Sequence, residues 1–384
     1  VNFYWGALMK EIKLEFEKEG EGISKSLSAF VRLGDSIFAA GDEGVDLARL
    51  KESDDGTCFK LKELINLSNW FDLPIPPHKE QTKQVMEIDL EGMDFDSTKQ
   101  LLWMVGSHSL KRGRAKAEFD TKKNLELLGK VEPDANRFFL GCAFLHKNKN
   151  KQFRLSLSEG DNNTRAAQLR CDATTSELLD EIRRDTLFTR FCDKNGGIPG
   201  KDNGIDIEGL ACTLDGRVLV GMRGPVLRGI AIILELAPER IDSPNTKADQ
   251  LQLTKIGPTG LKYRRHFLDL AGHGIRDLCW DGDDLLILAG PTTGLDSPPL
   301  IFRWKAAIKA FGKMSSDEEK FIWRSENVLV QQAIGSTGKQ AEAGADHAEA
   351  IALFDKKRLM IGYDSPSTKR FHKPASVIVD IVDL

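Results

Sequence analysis

Glu91, Glu208 and Glu349 stand at one position of a phrase that the 384-residue chain repeats: Asp89-Leu-Glu-Gly-Met, Asp206-Ile-Glu-Gly-Leu and His347-Ala-Glu-Ala-Ile. Another copy, Gly274-Ile-Arg-Asp-Leu, puts Arg276 at that position, and Ser26-Leu-Ser-Ala-Phe is a weaker fifth. Carboxylates gathered at one narrow opening repel one another unless something offsets their charge. Three offsets are open to this set. Arg276 and Arg223 can close a purely structural ionic ring with the acids. A hard divalent cation, Ca²⁺ foremost, can take its oxygen ligands from Glu91, Glu208 and Glu349. Or one carboxyl can keep its proton and serve as an acid or base.

Each phrase opens a short apolar run, followed by a polar turn and a second apolar run closed by glycine. Asp215-Gly216 and Asp281-Gly282 supply turns of the kind that join two antiparallel strands. The runs are nearly continuous in Leu, Val, Ile and Met, as in strands covered on both faces. Two more strand-like runs follow most hairpins: residues 138–144 and 152–157, 229–236 and 263–270, and 300–304 and 320–324. Four antiparallel strands per unit, repeated radially, predict an all-β fold and a β-propeller. We count five blades, or six if a degenerate one lies between Asn162 and Lys201. After the last hairpin only residues 376–384 remain as a strand, so residues 11–16 are expected to pair with them and close the ring.

In such a ring, the residues that start the inner strands and those that follow each hairpin glycine share one mouth of the axial channel. The starts contribute Glu91, Glu208, Arg276 and Glu349, and the ends contribute Asp42, His108, Arg223, Thr292 and Asp364. His273 and His347 precede two inner strands. Glu91, Glu208, Arg223, Arg276, Glu349 and Asp364 are the expected ligand-binding set, with His108 and His347 as candidate proton carriers.

The whole chain, 1–384, reads as one domain with three insertions: a loop at 111–135, a partly helical segment at 160–204, and a short helical segment at 305–320. Thr174 and Glu177 have capping-box spacing, and Leu178, Leu179, Ile182, Leu187, Phe188 and Phe191 fall largely on one helical face. The net charge is −4, from 54 basic and 58 acidic side chains, so no global positive field favours nucleic acid or an anionic membrane. The basic stretches 111–116 and 146–151 lack interleaved aromatics and read as solvated loops. Six scattered cysteines form no CxxC pair, and no G-x-S-x-G elbow or Walker loop is present. With no signal-peptide pattern and no apolar run near the roughly 20 residues of a membrane helix, a cytoplasmic location is expected.

The phrases Asp206-Ile-Glu-Gly-Leu-Ala and Asp89-Leu-Glu-Gly-Met-Asp, with Arg223-Gly-Pro225 and Gly290-Pro291-Thr292, resemble an uncharacterised bacterial β-propeller family known only as a domain of unknown function. The Glu-Gly phrase is also similar to esterase-like and phytase-like propellers and, more distantly, to calcium-dependent lactonases. Those hydrolases imply a cation held by Glu91, Glu208 and Glu349. Arg276 departs from that pattern. Two functions follow as expectations. The first is a binding scaffold that holds a protein partner through its insertions and a small ligand at the mouth. The alternative is a Ca²⁺-dependent hydrolase of an ester, lactone or phosphoester, with His108 or His347 carrying the proton.

Overall fold

The computed structural model describes residues 10–75, 87–148, 152–158, 165–192, 197–293, 298–311, 319–324, 332–333 and 346–384. The recurring phrase becomes an inner strand each time: Leu27–Leu33, Leu90–Asp96, Asp206–Cys212, Gly274–Asp281 and His347–Asp355. Each pairs antiparallel with the strand that follows it in sequence. Further strands add outward, giving separate twisted sheets rather than one continuous wall. The inner strands neighbour one another in chain order, and the last lies against the first. The fold is therefore all-β and propeller-like.

The continuous apolar runs explain this packing. Val218 to Pro225 are all buried, because neighbouring sheets cover both faces of that strand. Leu219, Ile233 and Leu268 of one sheet meet Leu285, Ile287 and Phe302 of the next in a shared apolar layer. The glycine after Glu91 and Glu208 has a steric reason. A Cβ at Gly92 would come within 2.9 Å of Leu210 in the adjacent inner strand, and one at Gly209 within 3.0 Å of Leu278. Carboxylates then tie adjacent inner strands. Asp94 Oδ2 accepts the Cys212 amide at 2.7 Å, and Asp277 Oδ2 accepts the Ile351 amide at 2.7 Å.

The seam closes as the sequence suggests. Lys10–Glu15 pairs antiparallel with Ser376–Asp383, from Lys10↔Ile381 to Glu15↔Ser376, and runs parallel to Cys58–Asn66 through Leu14↔Phe59. One strand thereby joins the last sheet to the first. Leu14 is fully buried there. Leu14→Ala is expected to cost roughly 2–5 kcal/mol, read as a lower urea midpoint. A loss of less than about 1 kcal/mol would mean that the seam bears little of the fold's stability.

Several expectations about the insertions need correction. Segment 111–135 is more than a loop. Leu110–Arg112 pairs with Val131–Pro133, and helix Thr121–Gly129 lies between them, capped by Asp120, which accepts the Lys123 amide at 2.7 Å. In segment 160–204 the helix is Glu177–Arg184, and its cap is Ser176 rather than Thr174. Thr174 instead donates to Asp172 in the preceding turn. Leu178, Leu179 and Ile182 are buried in the main core, so this helix keeps its apolar face for the chain itself, whereas Leu187, Phe188 and Phe191 lie beyond its end. Segment 305–320 shows one 3₁₀ turn, Ala307–Ala310, and residues 312–318 lie outside the described ones.

One feature has no counterpart in the sequence reading. The hairpin Pro238–Ile241 and Asp249–Leu253 leaves the third sheet and joins the second, with Asp249–Leu253 parallel to Ala167–Leu169. The six cysteines are free thiols, and Cys58, Cys142, Cys192 and Cys212 are buried. Among the described residues, no helix is long and apolar enough to cross a membrane.

Candidate functional site at the channel mouth

All five inner strands carry an irregularity at the same place. The pairing register skips Ser28 in the first strand, Glu91 in the second, Glu208 in the third, Arg276 in the fourth and Glu349 in the fifth. A β-bulge sets two residues against one on the partner strand and re-aims the extra side chain. Five strands that are distant in sequence thus deliver one position each to a common ring. The repeat made this ring legible, although the bulge itself has no signature in the phrase.

The charges on the ring are unevenly compensated. On one arc, Arg223 Nη1 lies 2.6 Å from Glu208 Oε1 and 3.3 Å from Asp206 Oδ2. Arg276 Nε lies 3.3 Å from Glu208 Oε2, and its Nη1 pairs with Glu349. The two guanidiniums also donate to main-chain oxygens, Arg223 to Thr292 and Arg276 to Pro291, each at 3.4 Å. On a second arc, Arg137 Nη1 lies 2.8 Å from Asp89 Oδ2, and both Arg137 and Lys111 pair with Glu87. Burial, aided by Arg137, lowers the Lys111 ammonium to about 8.

On the third arc stand Asp42, Glu91 and Asp364. Among the described residues none of these three has an ion-pair partner, and Asp364 only accepts a hydrogen bond from the Ser365 hydroxyl at 3.0 Å. Asp42 Oδ1 is buried without a hydrogen bond. Burial, then the Asp364 and Asp89 carboxylates, push Asp42 up to about 7. Burial, then Asp89, Glu208 and Glu349, hold Glu91 well above the ordinary carboxyl range. Glu349 is raised too, by burial first, against the opposing pull of Arg276.

The expected residues fare differently. Glu91, Glu208, Arg223, Arg276, Glu349 and Asp364 do meet at the mouth. As calcium ligands, however, Glu91, Glu208 and Glu349 are interrupted, since Arg276 pairs with both Glu208 and Glu349. Among the described residues, no group of three His, Cys, Asp or Glu side chains is placed to hold a metal ion. His108 is 2 % exposed, its Nδ1 lies 2.9 Å from the Gly106 carbonyl, and burial lowers it to about 4. His347 is exposed and pairs in register with Asp364.

Asp89 and Asp206 escaped the sequence reading as site residues, although a signal was present. They precede Glu91 and Glu208 by two in the repeated phrase. Lys111 opens the 111–135 insertion and Arg137 lies in the 3₁₀ turn Ala135–Phe138 just after it, so nothing local marked them. At the opposite end of the inner strands a cavity of about 160 Å³ is lined by Val31, Met93, Phe95, Leu278, Trp280 and Ile351. Arg32 and Asp94 also line that cavity.

Comparisons with known proteins come last. No curated protein matches the chain. Among solved structures, the PQQ-bound aldose sugar dehydrogenase of Streptomyces coelicolor is 10% identical, with a TM-score of 0.34, over 94% of this chain and 95% of that one. A luciferin-regenerating enzyme is 10% identical, with a TM-score of 0.33, over 98% and 97%. A chain of the mitotic checkpoint complex is 8% identical, with a TM-score of 0.30, over 92% of this chain, which spans 60% of that one. At these values the likenesses carry no argument about what this chain does. A family model matches residues 26–380, nearly the whole propeller-like ring, and the chain belongs to the family described as "Protein of unknown function (DUF3616)".

Proposed function

We propose that this chain is a five-bladed β-propeller whose charged channel mouth binds a small polar ligand. The observation that carries the reading is the repeated bulge, which aims Glu91, Glu208, Arg276 and Glu349 at one ring while Glu91 has no ion-pair partner among the described residues. A ring serving structure alone would be expected to give that buried carboxyl a hydrogen-bond partner, because a buried polar group without one is costly. The mouth instead holds a mixture of acids and bases, suited to recognising a polar molecule by hydrogen bonds and charge together.

A thermal-shift series with amines, polyols, carboxylates and phosphates tests the reading. At least one class is expected to raise the melting midpoint of the native chain, and Glu91→Gln to lose that rise. If no class moves the midpoint, or if the variant responds like the native chain, the mouth is not the binding site.

A second reading keeps a protein partner but relocates it. The helix within 160–204 spends its apolar face on the core, whereas helix Thr121–Gly129 buries no residue and leaves Leu125 65 % exposed. Segment 111–135 is therefore the better candidate for partner capture. Leu125→Glu should leave the melting midpoint unchanged and reduce capture in a pull-down; undiminished capture rejects that surface. A metal-dependent hydrolase finds less support, because Arg223 and Arg276 already supply the positive charge that a cation would bring.

A further inference from the structure

We propose that the uncompensated arc of the mouth, Asp42, Glu91 and Asp364, is a recognition site for an organic cation, a primary ammonium or guanidinium group. The inference rests on the mouth being the ligand site and adds the chemical class of the ligand.

The charge around the ring is unevenly compensated. Arg223 and Arg276 neutralise the arc built by the third and fourth inner strands, and Arg137 meets Asp89 beside the second. The remaining acids come from the fifth, first and second sheets, and no cationic side chain among the described residues pairs with them. Crowded acids alone would be weak grounds. Glu91 adds an independent one: it is only 8 % exposed, makes no hydrogen bond or ion pair among the described residues, and interacts with acids on either side of the ring. Asp42 adds a buried oxygen that also lacks a hydrogen bond.

The chemistry of the donors separates an organic cation from a metal ion. Calcium draws six to eight oxygens to about 2.3–2.6 Å. These acids are not gathered that closely, since no three of the described His, Cys, Asp and Glu side chains are placed to hold a metal. An ammonium instead presents three donors, and a guanidinium five in a planar fork, at ordinary hydrogen-bond distances of about 2.7–2.9 Å. Such groups tolerate carboxylates that are spread around them. They also restore to Glu91 the type of partner that Glu208 already finds in Arg223.

Binding should depend on pH, because the carboxyls must be ionised to hold the cation. Asp42 faces Asp364, Asp89, Glu43 and the Ser26 hydroxyl, with Lys111 also within electrostatic reach. Glu91 faces Asp89, Glu208, Glu349 and Asp42. All but Lys111 and Ser26 are acids, so raising the pH strips protons from the arc and strengthens its hold on a cation.

Calorimetric titration of the full chain with putrescine and with methylguanidinium is the test, with glycerol, acetate and Ca²⁺ as controls. At about pH 8 an organic cation is expected to bind, and at about pH 5 to bind at least about tenfold more weakly. Asp42→Asn and Glu91→Gln should each weaken binding by a similar factor, and circular dichroism melts report whether each variant is folded. The inference is overturned if neither cation binds, if either binds equally well at both pH values, if Ca²⁺ binds more tightly than both, or if both folded variants bind like the native chain. When glycerol or acetate binds at the mouth and the cations do not, the cation assignment fails and the ligand site stands. When nothing in the broader thermal-shift series binds, both fail.

Discussion

Arg223→Ala is expected to destabilise the fold by about 3–5 kcal/mol at neutral pH, the largest effect of any single change on the rim. The guanidinium is 6 % exposed and serves Glu208 and Asp206 at once. Without it Glu208 keeps only Arg276, and Asp206 keeps no ion-pair partner among the described residues. Burial already pushes Asp206 up to about 7 with Arg223 in place. Loss of the guanidinium raises Asp206 further, so the loss measured in urea should shrink near pH 5, where Asp206 is protonated in the native chain as well and the ion pair no longer contributes. Arg223→Met combined with Glu208→Gln removes both charges and should recover most of the deficit, since the cost lies in the orphaned acid more than in the lost pair. A single-variant loss below about 1 kcal/mol would show that the rim is solvated well enough to do without the pair.

The second large effect is on the pH dependence of stability. Burial is the leading cause in each raised acid: Asp42 goes to about 7, Asp94 to about 6, and Glu91 and Asp277 well above their ordinary ranges. A carboxyl whose pKa is higher folded than unfolded binds its proton more tightly in the native state. Between about pH 4 and pH 7 the native chain holds protons that the unfolded chain releases, so stability falls as pH rises through that window. Below it, lowered acids act in the opposite sense. In Asp249 the hydrogen bonds from Arg165 and Arg240 outweigh burial, and that contribution is lost as the group is protonated. Maximum stability is expected on the acid side of neutrality, at or below about pH 5. Asp42→Asn should match the native chain there and exceed it by on the order of 2–3 kcal/mol at about pH 8. Native stability that is flat or rising from pH 5 to pH 8 would contradict this, as would an asparagine variant no more stable than the native chain at the higher pH.

Helix Glu177–Arg184 and His108 show where local pattern stops being informative. The stripe of Leu178, Leu179 and Ile182 announced a helix, yet the same stripe suits a partner groove or the chain's own core. Only the placement of the second and third sheets beneath it decided for the core. His108 followed a hairpin glycine like the other rim residues. Its ring turned inward against Phe138, with the centroids 6.2 Å apart, and there burial lowers it to about 4.

The sequence by itself determined the repeated hairpins, the strand that closes the seam and the ring position shared by Glu91, Glu208, Arg276 and Glu349. Those features follow from local rules: apolar runs covered on both faces, turn residues between them, and a motif that recurs in register. Only the tertiary structure decided which acids are compensated. Arg223 reaches Glu208 across a strand pair, Arg276 reaches Glu349 across 73 positions of chain, and Arg137 reaches Asp89 from the 3₁₀ turn Ala135–Phe138. Coulombic compensation and desolvation depend on distance in space and on exclusion of water. Neither can be read from residue order until the ring has closed, and the charge left over at Asp42, Glu91 and Asp364 is a property of that closed ring.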